Sequence, residues 1–174
     1  MHNALYSTLS KNKVTEYTPT FGIICCLFKT SKFAVGKPNM LPTLFPLTIL
    51  PNNLKEGDKV LVSFEYGAST KPEIHPMSVA VLQHLFSKGI KVYTVPLWPE
   101  GLMMAKYAIQ EVVDSKLFNI VEHSDYVSLP YKAGGEIIIR GIATDIRSIF
   151  TQDINNVLLN NISMMEGINS VSDF

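Results

Sequence analysis

KVLVSFEY (59–66), PMSVAVLQHLFSKG (76–89) and IKVYTVPL (90–97) decide the fold of this chain. The first and third runs are rich in valine and aromatic residues, which suit a pleated, covered surface. Val60, Leu61, Val62 and Phe64 are near-continuously apolar, as in a strand with helices over both faces. The middle run places Ser78, Val81, Leu82, Leu85 and Phe86 on one side at helical spacing. Lys88 then falls in the last turn, and Gly89 stands where a left-handed terminator belongs. Strand, helix and strand without a break are the unit of a parallel sheet.

Working outward, the pattern repeats. WPEG follows the second strand, and a helix is expected from about 100 to 116 with Leu102, Ala105, Ile109 and Val112 on its buried stripe. A short third strand is expected over 126–129. Next, EIIIRGIATDIRSIF (136–150) carries Ile138, Ile142, Ile146 and Ile149 at helical spacing, over a length too great for an ordinary strand, so it reads as one helix despite Gly141. Ahead of the first helix, Thr70 and Glu73 have capping-box spacing. Pro76 then implies a kink in the first turn, or a restart of the main helix with Pro76 at its first position. The Asn-rich stretch 151–166 reads as turns, with at most one helical turn near 157–159. At GINSVSDF (167–174) the alternation calls for another strand. The expectation is an α/β fold with an open, mainly parallel three- to four-stranded sheet and flanking helices, Rossmann-like and incomplete at its carboxyl end. The chain then reads as a fragment, or as one whose sheet a partner completes.

Residues 1–53 read as an irregular appendage and 54–174 as the α/β domain. Pro38, Pro42, Pro46 and Pro51 punctuate a lead-in without sustained period. With 174 residues the chain suffices for one cored domain. Its 47% hydrophobic and 17% charged content is that of a globular protein. Fifteen basic residues balance fifteen acidic ones, which gives no electrostatic case for nucleic acid or anionic lipid. The two cysteines, Cys25 and Cys26, are adjacent, close no useful loop, and read as packed thiols; a reduced, cytoplasmic setting is expected. FGIICCLF (21–28) is too short to span a bilayer and has the wrong flanks for a signal peptide.

In open α/β sheets ligands bind beyond the carboxyl ends of the strands. Three loops qualify: EYGASTKPEIHP (65–76), WPEG (98–101) and YKAGGE (131–136). Gly134 and Gly135 precede a helix whose free N–H groups suit an anion, with Lys132 adding charge. The plainer reading is a tight turn, with Glu136 complementing the helix dipole. Gly67-Ala-Ser69 resembles a nucleophile elbow but has Lys71 where the second glycine belongs, so capping by Ser69 and Thr70 explains it more simply. Glu65, Glu73 and His75 offer three metal ligands on one loop, one short of a tetrahedral set. His84 reads as a boundary residue of the first helix, and His123 carries no signal. Trp98 can wall a pocket or pack on the following helix. The candidate ligand-binding set is therefore Glu65, Ser69, Thr70, His75, Trp98, Lys132, Gly134 and Gly135. No catalytic residue, metal site or cofactor is assigned, since neither a dinucleotide nor a P-loop fingerprint occurs.

VLVSFEYGASTKPEIHPM, LQHLFSKGIKVY, LWPEG, YKAGGE and DIRSIFTQD, in that order over about two thirds of the chain, resemble a family of uncharacterised Rossmann-like α/β proteins of prokaryotes. The resemblance implies longer relatives with an apolar membrane-anchoring helix at the amino end and further strands beyond GINSVSDF. It also implies an Asp where Gly67 stands, which weakens an acidic role for that loop here. Membrane association or a scaffolding role rests on the resemblance alone. The functional expectation is a non-catalytic module for a small anionic ligand or a partner protein. The alternative is a hydrolase or transferase acting on a phosphorylated or acidic substrate, with Glu65 or His75 as general base.

Overall fold

A computed structural model describes residues 54–174 and, before them, the backbone of strands β1 (Val14–Tyr17) and β2 (Ile23–Leu27). Strands β3 (Lys59–Glu65), β4 (Lys91–Thr94) and β5 (Tyr126–Ser128) lie side by side in the order of the chain. All three are parallel, with Val60 opposite Val92 and Val92 opposite Tyr126. The fold is α/β, as the alternation requires. On the far side of β3, β2 and then β1 extend the sheet in antiparallel sense, with Cys25 opposite Ser63. Pro38, Pro42, Pro46 and Pro51 and the packing of the Cys25 and Cys26 thiols lie outside the described residues.

Helix α1 (Lys71–Ser87) joins β3 to β4, and α2 (Gly101–Asp114) joins β4 to β5. Two crossovers that step the same way with the same hand leave both helices on one face. That face buries Val60, Val62, Phe64 and Val92 against Leu82, Leu85, Met104, Ala108 and Val112. Each of these side chains larger than alanine contributes roughly 1.5–3 kcal/mol by leaving water. Gly89 ends α1 at φ 66°, and the Ile90 amide reaches back to the Leu85 carbonyl at 3.1 Å, a left-handed stop as read from the sequence.

Pro76 neither kinks the chain into two helices nor starts a second one, since α1 runs through it. The capping box is absent as well. Pro72 has no N–H to offer, the Glu73 amide is taken by the Thr70 carbonyl at 3.2 Å, and Thr70 Oγ1 instead donates to the Gly67 carbonyl at 3.3 Å.

The opposite face is covered in a way the alternation does not foresee. The segment read as one helix is two, α3 (Glu136–Thr144) and α4 (Ile146–Ile149). Asp145 breaks it by adopting an extended backbone and capping α4, its side chain accepting the Arg147 amide at 3.0 Å. After α4 the cover is irregular chain with three single 3₁₀ turns, at Leu159–Asn161, Ser163–Met165 and Val171–Asp173. Phe150, Leu159, Ile162, Met165, Ile168 and Phe174 pack on Leu61, Tyr93, Val95, Val127 and Leu129.

Polar bonds hold this coil where helical bonds would otherwise do so. Tyr93 Oη donates to the Met164 carbonyl at 2.6 Å, and the Arg147 guanidinium donates to the carbonyls of Ile168 (3.0 Å) and Met165. The further strand expected at 167–174 does not form. Ser170 and Asp173 close a capping box there, which folds the segment into a 3₁₀ turn and sends Val171 and Phe174 into the core.

Candidate functional site

β3 carries the chain to Glu65 on the face that also bears Leu61, the face away from α1 and α2. Its Oε1 accepts the Leu97 amide from the loop after β4 at 3.0 Å and the Ser63 hydroxyl from two residues back. Oε2 takes no hydrogen bond from a described residue. Burial raises the Glu65 pKa above the ordinary 4.5, and the Ser63 and Leu97 bonds only partly offset it. A desolvated carboxyl at the carboxyl end of a strand, with one oxygen anchored by two hydrogen bonds, is a chemically poised group.

Beside it the β3–α1 loop meets the start of α2. The Glu100 carboxylate accepts the Ala68 amide at 2.9 Å and lies over Gly67, where a Cβ would stand 2.0 Å from Oε2. Gly101 brings α2 against β3 so closely that a Cβ would stand 1.9 Å from the Phe64 carbonyl oxygen. The loops after β3 and β4 are thus joined twice, by Glu65 to Leu97 and by Glu100 to Ala68. Trp98, 52% exposed, stands beside this junction in the chain. Ser69 is exposed, and no side chain among the described residues hydrogen-bonds it.

The other candidates go elsewhere. Lys132 places its ammonium 5.9 Å from the Phe150 ring, a cation–π contact. Gly134 (φ 149°) and Gly135 (φ 50°) take conformations that favour glycine and turn the chain into α3. Glu136 in the first turn pairs with Arg140 at 2.6 Å. No hydrogen bond or ion pair among the described residues links Lys132, Gly134 or Gly135 to Glu65, Ser69 or Trp98. Two inter-strand spacings, about 10 Å, separate the β3 and β5 ends.

His75 belongs to the opposite face from Glu65. It is 7% exposed, with Nδ1 2.8 Å from the Tyr66 hydroxyl and Nε2 3.2 Å from Glu111 on α2. The Nε2–H tautomer satisfies both contacts, Tyr66 donating and Glu111 accepting. Burial raises the Tyr66 pKa and the Glu111 charge adds to it, so the phenol keeps its proton. Glu65, Glu73 and His75 therefore do not converge, and the metal reading of that loop falls. Tyr66→Phe is expected to cost roughly 1–3 kcal/mol, because it strips the donor from a buried imidazole nitrogen. Urea denaturation measures this, and an unchanged midpoint would remove the proposed bond.

A second constellation escaped the sequence reading. Glu122, His123 and Asp153 bring their ligand atoms within 4.8 Å of one another. His123 Nε2 stands 2.6 Å from Asp153 Oδ2, whose side chain is wholly buried. Asp153 Oδ1 accepts the amides of Asn155 and Val157, both at 2.8 Å, and Asn155 Nδ2 donates to Glu122 Oε1 at 2.7 Å. His123 sits at φ 62°, a conformation unusual outside glycine. The only trace in the sequence is Asp153-Ile-Asn-Asn, an Asx-turn composition.

Comparison with protein-family models, curated proteins and solved structures finds no match to this chain. Among the described residues no helix is long and apolar enough to cross a membrane.

Proposed function

We propose that this domain is a non-catalytic module that binds a small ligand across the carboxyl ends of β3, β4 and β5. The observation that carries the reading is Glu65, a desolvated carboxyl bonded across to the β4 loop, whose Oε2 takes no hydrogen bond from the described residues. A hydroxyl or amine of the ligand would bond Glu65. An acidic group further along this edge of the sheet would meet Lys132 and the amides that begin α3 at Gly134–Gly135. Trp98 offers an apolar wall beside Leu97.

Thermal unfolding of the full chain with inorganic phosphate, citrate or AMP tests this. A ligand at one hundred times its Kd adds about 2.7 kcal/mol. At least one probe is expected to raise Tm, and the gain should disappear in Glu65→Gln and in Lys132→Ala. No rise with any of the three, or a rise that both variants keep, would refute the assignment.

The raised pKa of Glu65 favours one second reading, a general base in hydrolysis or group transfer on a phosphorylated or acidic substrate. Turnover of p-nitrophenyl phosphate that Glu65→Gln abolishes would decide for it.

Glu65 also makes a stability prediction whichever reading holds. Its folded pKa lies above the unfolded one, so the native state holds the proton more tightly. That contribution is fully present below about pH 4.5 and is lost as pH rises through the folded value. Wild type is expected to lose stability relative to Glu65→Gln across this window in urea titrations at stepped pH. A constant difference would contradict the burial of this carboxyl.

A further inference from the structure

We infer that Glu122, His123 and Asp153 form a site for one divalent first-row transition ion of the Zn²⁺ class. The three come from two loops thirty residues apart, both bonded to the outer edge of β5: the His123 amide donates to the Tyr126 carbonyl at 2.8 Å and the Ile154 amide to the Ser128 carbonyl at 3.0 Å. An imidazole nitrogen with two carboxylates is a borderline donor set that suits Zn²⁺, Co²⁺ or Mn²⁺ better than Mg²⁺. Three protein ligands leave room for water in a fourth position.

The partners of each carboxylate separate this site from a chance acidic patch. Asp153 Oδ1 is secured by two backbone amides, which leaves Oδ2 to face His123 Nε2. Glu122 Oε1 is secured by the Asn155 side chain. Both carboxylates are thus held by groups outside the trio, the outer-shell orientation found around metal ligands. Charge agrees as well. The two carboxylates bring a charge of −2 to the site, which a divalent ion neutralises, and the Asp153 side chain is wholly buried. On binding, the metal takes the Nε2 lone pair. The hydrogen now between Nε2 and Asp153 Oδ2 is displaced to Nδ1 or to solvent.

The test is calorimetric titration of the full, chelator-treated chain with Zn²⁺, and with Co²⁺ read by its visible absorption. The expected result is one saturable site, lost in His123→Gln and weakened about 10- to 100-fold in Asn155→Ala, which touches no metal directly. Both variants change exposed or half-buried positions, and their unfolding midpoints in chelator report whether they fold. His75→Gln serves as the control for binding at another histidine. Absence of saturable binding to the folded wild type overturns the site. So does Zn²⁺ affinity that survives in folded His123→Gln, or that is lost in His75→Gln instead.

Discussion

Phe174→Ala is expected to lower the unfolding free energy by about 3–5 kcal/mol, the upper range for truncating a single buried side chain. Phe174 is 2% exposed and packs edge-on against Tyr93, ring centroids 5.0 Å apart at 71°. Tyr93 in turn is fixed by its hydroxyl bond to the Met164 carbonyl, and burial pushes the phenol pKa up so far that it stays protonated. Removing the ring therefore opens a cavity between the sheet and its irregular cover. It also removes an aromatic pair worth about 0.5–1.5 kcal/mol beyond its area. Urea melts with a shared slope would read the loss as a shift in midpoint. A cost near zero would mean that the last residues do not close the second face of the sheet.

Gly101→Ala is expected to destabilise by about 3 kcal/mol, at the upper end for overpacking. The sign is the informative part, because Gly→Ala near a helix start ordinarily stabilises by trimming unfolded-state entropy. Here the added carbon would meet the Phe64 carbonyl oxygen at 1.9 Å and its carbon at 3.0 Å. Backbone cannot rotate aside as a side chain can, so α2 must withdraw from β3. Withdrawal would also pull Glu100 from the Ala68 amide and loosen the junction beside Glu65. A neutral or stabilising outcome in thermal or urea denaturation would mean that α2 does not approach β3 this closely.

The parallel core was legible because its signals are local. Val60, Val62 and Phe64 on one strand, Gly89 at a helix end and the stripe through Ala105, Ile109 and Val112 each follow from residue type and spacing. The second face was not, because its cover has no period. Ile162, Met165, Ile168 and Phe174 are placed by bonds from Arg147 and Tyr93 to carbonyls, and such long-range contacts leave no pattern along the chain. Asp145 shows the same limit at short range. The isoleucine spacing runs through it undisturbed, while its competition for the Arg147 amide breaks the helix. At the candidate site, Glu65 was visible from its place at a strand end. His75 was not placed correctly, because alternation past Glu65 sends Tyr66 to the opposite face and the imidazole follows it. His123 and Asp153, thirty positions apart, meet only through the turn beyond β5.

The most direct test is a pH titration of the Glu65 side-chain carboxyl carbon by NMR, with the Leu97 amide followed in the same samples. The predicted result is a midpoint above the ordinary 4.5, with the Leu97 N–H shift changing at that same midpoint as the bond between the two loops alters. A Glu65 midpoint at or below 4.5, with a Leu97 amide indifferent to it, would contradict a buried, bridging carboxyl at the rim of the sheet.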